Sequence, residues 1–342
     1  MILGGRSSEH SISCISGRAI VAALDPDRYD VRVIGIRRDG AWVVASDLGL
    51  DVVVDAEPLP EVSADARSIT IEQALDVDVV FPVLHGPWGE DGSLQGLLET
   101  LQVCFVGSGV LSSAVAMDKG FMKTLLASAG LPVTPFVAIS DLRWREDRIG
   151  VLDAVTDLGL PVFVKPARAG SSLGIAKVSR VEDLVGAIEH AREHDPRVVV
   201  ECSVEGAREI ECGVLTDTTG RPQSSRCAEI VVRSAHEFYD FHAKYLDDSA
   251  DLIVPAALPV GVEDAVREMA LVAFEALACE GLARVDFFVR PDGAIIVNEV
   301  NTMPGFTGIS MYPRMWMATG MDYPELVDAL VRDALRKGTA LR

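Results

Sequence analysis

Apolar residues at positions 12, 15, 19, 20, 23 and 24 form a stripe of helical period. They predict a helix entered from Ile2-Leu3 through the loop Gly4-Gly5-Arg6-Ser7-Ser8-Glu9-His10. Ser8 or Ser11 can cap it. Aliphatic and aromatic runs at 31–36 and 41–44 predict strands. Residues 77–83 are apolar almost without a break, the pattern of a strand buried on both faces of a parallel sheet. Helical spacing follows at 94–101 and a short strand at 104–106. Alternating strands and helices to about residue 110 predict a doubly wound α/β unit. Beyond it, 117–130 reads as a helix and the Leu-Pro-Val-Thr-Pro run at 131–135 as a break. Strands are expected at 162–164, 175–178, 198–200 and 208–215, a helix at 262–279, a loop at 306–317 and a closing helix at 323–336.

The most informative stretch runs from Arg284 to Gly305. Two strand-like runs, 285–289 and 294–300, flank Pro291-Asp292-Gly293, a hairpin signal with Asp-Gly at a two-residue turn. Counting outward, Ala294 faces Pro291, Val297 faces Phe288, Glu299 faces Asp286 and Asn301 faces Arg284. Alternation then puts Arg284, Asp286, Glu299 and Asn301 on one face. Carboxylates directly opposed across a sheet repel each other unless something neutralises them. Arg284 alone could serve as counter-ion to a solvated face. The oxygen ligands Asp286, Glu299 and Asn301 also suit magnesium held mainly by a nucleotide's phosphates.

Other segments carry possible chemistry. The glycine loop at 4–10 opens a helix and could surround an anion or polar ligand with N–H groups. Glu9 within it could hold an ammonium, or could simply be an acid at a helix N-terminus. His85-Gly86-Pro87-Trp88-Gly89-Glu90-Asp91-Gly92 stands at the C-terminal end of the 77–83 strand, where α/β sheets bind ligands. Lys165-Pro166 leads into Gly170-Ser171-Ser172-Leu173-Gly174, a loop able to lie over phosphates, although Walker spacing is absent. Residues 229–251, with His236, Phe238, Tyr239, Phe241, His242, Lys244 and Tyr245, read as a lid because they combine aromatic and polar groups with little periodicity.

Composition narrows the function classes. A 342-residue chain with 49% hydrophobic and 24% charged residues is globular and large enough for two or three domains. Its net charge of −20 argues against nucleic acid or an anionic membrane as partner. No run approaches a membrane span, and polar residues from Arg6 onward argue against a signal peptide. Six scattered cysteines without a Cys-x-x-Cys point to reduced thiols in a cytoplasmic protein. Lysine is rare, which singles out Lys119, Lys165 and Lys244.

With these pieces placed, the chain resembles the D-alanine–D-alanine ligases of the ATP-grasp superfamily over essentially its whole length. The motifs are Gly4-Gly5-x-Ser7-x-Glu9, His85-Gly86-x-x-Gly89-Glu90-Asp91-Gly92 and Met117-Asp118-Lys119. They continue with Val164-Lys165-Pro166 and its Gly-Ser-Ser-x-Gly loop, Ala243-Lys244-Tyr245-Leu246, Arg284-x-Asp286 and Asn298-Glu299-x-Asn301-Thr302-x-Pro304-Gly305.

The resemblance implies an α/β (α+β) three-domain ATP-grasp fold. Its boundaries are expected at 1–114, 115–205 and 206–342, with ATP between the central and C-terminal domains. It implies that two D-alanines are joined through an acyl phosphate to supply peptidoglycan precursors in a bacterial cytoplasm, by a homodimer. Asp286, Glu299 and Asn301 would hold two Mg2+ or Mn2+ ions. Lys119, Lys165, Ser171, Ser172 and Lys244 would meet the phosphates, Glu201, Cys202 and Val204 the adenine, and Glu209 the ribose. Glu9 and His85 would lie at the first D-alanine and Ser310 and Met311 at the second. Arg284 and the Gly305 N–H would face the developing oxyanion. Glu9, Ser171 and Tyr245 would close the lid, and Tyr245 favours D-alanine over D-lactate as second substrate. The rivals are a D-lactate or D-serine ligase, another ATP-grasp carboxylate–amine ligase, and a nucleotide-binding module without catalysis. The last should lack a metal ligand or Arg284, and neither is missing. Family members carry more apolar residues ahead of the Gly-Gly motif, so the true start is expected upstream of Met1.

Overall fold

The computed structural model describes residues 1–45, 59–170, 173–232 and 250–339. Ser171, Ser172, Lys244, Tyr245 and the rest of the aromatic stretch at 233–249 lie outside the described residues.

The first sheet holds β1 (Ile2–Gly4), β2 (Ile34–Ile36) and β3 (Trp42–Val44). β1 is parallel to β2, and β3 is antiparallel to β2. The apolar 77–83 run extends this sheet on the other side of β1. The Ile2 N–H donates to Phe81 O and the Val83 N–H to Ile2 O, each close to 2.9 Å. Val80 in turn pairs in parallel with Phe105. The chain leaves β1 through Gly4 and Gly5, at φ +88° and +96°, into the helix His10–Ala23. A Cβ on Gly4 would lie 2.5 Å from the Ile36 carbonyl oxygen, so only glycine allows this turn.

The second sheet holds β4 (Phe136–Ile139), β5 (Val162–Pro166), β6 (Ala176–Val178) and β7 (Val198–Cys202), in the order β4-β7-β5-β6 and antiparallel throughout. Its valines pack with Trp144, Val151 and Ile188 from helices Asp141–Glu146, Arg148–Asp157 and Leu184–Arg192. The helix expected at 117–130 is instead two helices, Val110–Met117 and Lys119–Ser128. Asp118 divides them because its carboxylate accepts the Gly120 and Phe121 N–H groups and caps the second helix.

The third sheet holds β8 (Arg208–Thr216), β9 (Pro222–Val232), β10 (Ala250–Ile253), β11 (Leu282–Val289) and β12 (Ile295–Asn301), in the order β10-β9-β8-β11-β12. Both ends of the presumed lid are therefore strand: Glu229 to Val232 belong to β9, paired with β10. The amphipathic helix Val262–Ala276 covers this sheet.

The β11–β12 hairpin reaches its expected pairing by an unexpected route. The turn is a three-residue loop: the Gly293 N–H donates to Arg290 O and the Arg290 N–H to Ala294 O. Gly293, at φ +85°, completes it. Phe287, not Phe288, therefore faces Val297. A bulge at Asn298 then shifts the register back, so Asp286 faces Glu299 and Arg284 faces Asn301. The longer turn and the bulge cancel where the polar residues stand.

The stretch expected as a loop at 306–317 contains a helix, Met311–Thr319, with Ser310 at its N-cap position. Pro313 is no obstacle, because the first turn of a helix has no hydrogen bond to lose there. Tyr312, Met315 and Trp316 are buried. Tyr312 and Trp316 share one core with Ile20 and Phe81 from the first 110 residues, Leu215 and Leu282 from the third sheet, Phe306, and Leu326 and Leu330 of the closing helix Tyr323–Lys337, while Met315 packs with Ala228 and Ile230 of β9. The six cysteines are free thiols. No described helix is long and apolar enough to cross a membrane.

Candidate active site

One cleft of about 530 Å³ gathers the chemistry. Every expected site residue among the described ones lines it: Glu9, His85, Lys119, Lys165, Glu201, Cys202, Val204, Glu209, Arg284, Asp286, Glu299, Asn301, Gly305, Ser310 and Met311. They come from the loops after β1 and residue 83, from the start of helix Lys119–Ser128, from the second sheet, from β8, β11 and β12, and from the loop and helix that follow β12.

The β11–β12 face is acidic beyond what the hairpin alone supplies. Register places Glu211 of β8 beside Asp286 on the side away from Glu299. Arg284 donates through Nε and Nη2 to both oxygens of Asp286, each at 2.7 Å, and its Nε lies 3.2 Å from Glu211 Oε1. Burial works against the guanidinium charge, yet Asp286 and Glu211 outweigh it and raise the Arg284 pKa. Asn301 Nδ2 donates to Asp286 at 3.1 Å, and Lys119 Nζ stands 3.8 Å from Glu299 Oε2. Three carboxylates thus face one arginine and one lysine. Their oxygens, with the Asn301 amide oxygen, are hard donors of the kind that hold magnesium or manganese.

Opposite this face lies a buried network that the sequence pattern does not reveal. Glu201, at the end of β7, bridges Lys165 and Lys123. Lys123 Nζ is 2.8 Å from Glu201 Oε2, 3.0 Å from Thr134 Oγ1 and 3.2 Å from Asn298 O. Burial alone would raise the Glu201 carboxyl, but the two lysines hold it well below the usual range. Burial lowers the Lys123 ammonium despite Glu201. At Lys165 burial is outweighed by Glu201, and the pKa rises. Lys119 reaches the other border of the cleft, donating to Ala169 O at 2.9 Å beside Gly170. Lys119 and Lys165 therefore both stand near the start of the glycine loop. Cys202 turns its thiol to Leu158 O at 3.3 Å.

Glu9 is buried where two loops meet. A Cβ on Gly86 or on Gly170 would come within 2.6 Å of its Oε2, so glycine at both positions lets the backbone close around the carboxylate. Gly170 immediately precedes Ser171, which places the start of that loop beside Glu9. Ser7 donates to His85 O at 2.6 Å and accepts the Glu9 N–H at 3.2 Å, tying the two motifs together. Burial lowers the His85 ring pKa and keeps it neutral. Both ring nitrogens are engaged within the chain, Nδ1 with Met303 O at 3.1 Å and Nε2 with Ser16 Oγ at 3.4 Å. At the other end, Ser310 Oγ accepts the Thr307 N–H at 3.0 Å and lies 2.9 Å from where a Gly305 Cβ would stand.

Four residues of this site were not anticipated: Ser16, Glu90, Lys123 and Glu211. Each left a faint trace. Ser16 interrupts the apolar face of its helix, and Lys123 lies one turn beyond Lys119. Glu90 belongs to the glycine-rich motif, and Glu211 sits in a strand-like run.

Lysines from one antiparallel sheet and the helix packed beside it, carboxylates on the hairpin of another sheet and a glycine loop at the rim define an ATP-grasp enzyme. The chain belongs to the D-alanine–D-alanine ligase family. The model described as D-ala D-ala ligase N-terminus matches residues 1–108, and that described as D-ala D-ala ligase C-terminus matches 125–332. The chain is 51% identical to the D-alanine–D-alanine ligase of Kineococcus radiotolerans, over 100% of this chain and 97% of that protein. It is 49% identical to that of Mycolicibacterium gilvum, over 100% and 98%. Among solved structures, the D-alanine-D-alanine ligase from Coxiella burnetii superposes with a TM-score of 0.81 at 35% identity, over 98% of this chain and 94% of that one. The VanG D-Ala:D-Ser ligase from Enterococcus faecalis gives the same TM-score and identity, over 97% and 98%.

Proposed function

We propose that the protein joins two D-alanines to D-alanyl-D-alanine at the expense of ATP, as a cytoplasmic step in peptidoglycan precursor synthesis. The observation that carries this reading is the acidic face of Arg284, Asp286, Glu299 and Asn301, standing in one cleft with Lys119, Lys165 and the ammonium-type site at Glu9. Residues 1–114, 115–205 and 206–342 are taken as its three domains, and a homodimer as its assembly.

Phosphoryl transfer needs positioning and charge neutralisation more than covalent help from the protein. Asp286, Glu299 and Asn301 would hold two divalent ions, which supply charge neutralisation at the ATP phosphates. Lys119 and Lys165 would touch those phosphates, with Ser171 and Ser172 over them and Lys244 following the γ-phosphate. Glu201, Cys202 and Val204 would meet the adenine and Glu209 the ribose. Glu9 would take the ammonium of the first D-alanine. The carboxylate oxygen of that D-alanine attacks the γ-phosphorus, giving ADP and an acyl phosphate. The amine of the second D-alanine attacks the acyl carbon and gives up a proton, and phosphate leaves with the C–O bonding pair. Arg284 and the Gly305 N–H would stabilise the oxyanion formed in between. Ser310, at the N-terminus of helix Met311–Thr319, and Met311 would receive the second carboxylate, which the helix dipole favours. Glu9, Ser171 and Tyr245 would close the site and assist loss of the amine proton.

D-Serine or D-lactate as second substrate is the other reading. The likeness to a D-Ala:D-Ser ligase keeps D-serine in play, while Tyr245 speaks for an amine and against D-lactate. ADP release with Mg-ATP and D-alanine, alone and with D-serine, D-lactate or L-alanine, with products identified by mass, decides between them. D-Alanyl-D-alanine from D-alanine alone is the expected product. Turnover that requires D-serine or D-lactate would overturn the assignment of the second substrate.

A further inference from the structure

The segment 303–306, which carries Gly305, has few bonds of its own. Its Met303 N–H, Met303 O and Phe306 N–H are taken up by side chains from far earlier in the chain, while Phe306 O accepts the Tyr323 hydroxyl at 2.6 Å. The Met303 N–H donates to Glu90 Oε1 at 3.3 Å, and the Glu90 Oε2 accepts the Gly86 N–H at 2.5 Å. Met303 O faces His85 Nδ1 at 3.1 Å. The Phe306 N–H donates to Ser16 Oγ at 3.2 Å, and Ser16 Oγ faces His85 Nε2 at 3.4 Å.

The directions of these bonds are forced. A carbonyl oxygen only accepts, so the His85 proton sits on Nδ1. Burial favours the neutral ring, whose Nε2 then accepts from the Ser16 hydroxyl. That hydroxyl then has lone pairs left for the Phe306 N–H. One directed chain results, from Phe306 N–H through Ser16 and His85 to Met303 O. It spans the segment on both sides of Gly305 and leaves no tautomer free to change. Ser16 is wholly buried, and so is the Phe306 ring, which is wedged against Phe81, Tyr312 and Tyr323 at 5.4–6.3 Å.

We propose that Ser16, His85 and Glu90 are positioning residues that hold the 303–306 segment so that the Gly305 N–H points at the reacting carboxylate. This rests on the reading of Gly305 as an oxyanion donor. None of the three needs to touch substrate. They act through the backbone, and the bonds link the first 110 residues to the C-terminal part of the site. A donor displaced by about 1 Å can lose on the order of 100-fold in rate, and removal of an oxyanion donor loses about 100- to 1000-fold.

The test uses the full chain with Ser16→Ala, Ser16→Cys and, as a control on the underlying reading, Gly305→Pro, which removes the N–H itself. For Ser16→Ala, kcat is expected to fall by about 10- to 100-fold, with KM for ATP within about twofold of the parent. Hydrogen exchange in peptides covering 301–308 is expected to quicken. Ser16→Cys keeps a weak S–H donor and acceptor and should fall between parent and alanine variant; a role in packing alone predicts no such order. A Ser16→Ala kcat within twofold of the parent, together with a folded but inactive Gly305→Pro, would sink the positioning proposal and leave the Gly305 reading standing. A Gly305→Pro enzyme with parental kcat would sink the Gly305 reading, and the proposal with it. Should the alanine variant fail to fold, parental kcat and exchange in Ser16→Cys overturn the proposal, and a lowered kcat with faster exchange upholds it.

Discussion

Replacing Lys123 with methionine probes the buried charges beneath the cleft. Methionine keeps an unbranched stem but removes an ammonium that touches Glu201 Oε2 at 2.8 Å, Thr134 Oγ1 at 3.0 Å and Asn298 O at 3.2 Å. The Lys123 and Glu201 side chains are only 2% and 3% exposed, so water cannot take over these contacts. Removing one partner of a buried ion pair costs about 3–5 kcal/mol when the other charge is stranded. Here Lys165 and Thr134 still hold Glu201, which puts the loss near the lower end, about 3 kcal/mol. At about 2–4 °C per kcal/mol, the thermal midpoint should drop by roughly 6–12 °C. The functional consequence follows from the same geometry. With Lys123 gone, Glu201 keeps Lys165 as its remaining lysine partner, and a lysine held more tightly by its own chain serves a phosphate less well. KM for ATP should rise several-fold while KM for D-alanine holds. Calorimetry and initial rates at varied ATP give both numbers. A midpoint within about 2 °C of the parent and an unchanged KM for ATP would show that Lys123 is a passenger and that the network does not organise the nucleotide end.

Other changes bear on the remaining parts of the cleft. Asp286→Asn should lower kcat by at least about 100-fold in Mg-ATP without loss of fold, because Arg284 retains Glu211 at 3.2 Å; parental turnover would refute its role. Chelation by EDTA should abolish D-alanine-dependent ADP release and added Mg2+ or Mn2+ should restore it, whereas turnover in excess EDTA would refute the metal reading. Gly170→Ala would set a Cβ 2.6 Å from Glu9 Oε2 and should raise KM for D-alanine about tenfold; no change would mean that Glu9 does not meet the substrate. Burial and the nearby Glu9 push the Glu90 carboxyl from 4.5 up to about 8 against two N–H bonds. Its folded pKa lies above its unfolded one, so its contribution to stability is full below 4.5 and is lost as pH rises through about 8. Denaturation of the ligand-free protein between pH 5 and 9 should show this decline and Glu90→Gln should flatten it; equal slopes would refute the shift.

What the sequence disclosed and what it hid divide along sequence distance. The β11–β12 hairpin was legible because its partners are near neighbours in the chain. The facing of Asp286 with Glu299 came out right although the turn is one residue longer than the Asp-Gly pair suggests, because the Asn298 bulge absorbs the difference. The motif residues of the cleft were legible as types: oxygen ligands for metal, lysines for phosphate, glycines where backbone must approach. The helix at Met311–Thr319 was hidden by a proline that sits harmlessly in its first turn.

The residues that escaped notice do their work across the whole chain. Ser16 and Phe306 are 290 positions apart, Glu90 and Met303 are 213 apart, and Lys123 reaches Asn298 across 175. No local period encodes such pairings. A buried polar side chain must nonetheless find a partner, because leaving it unsatisfied costs about 1–3 kcal/mol. A serine on the apolar face of a helix, or a lysine inside a helix that packs on a sheet, therefore carries information even when its partner is unknown. It announces that a distant segment will bring a complementary group to that spot. At Ser16 and Lys123 the residues that arrive are Phe306, just beyond β12, and Asn298, within it, and they bracket the metal-type ligands Glu299 and Asn301. The polar interruptions of two early helices thus mark where the chemistry-bearing strand docks.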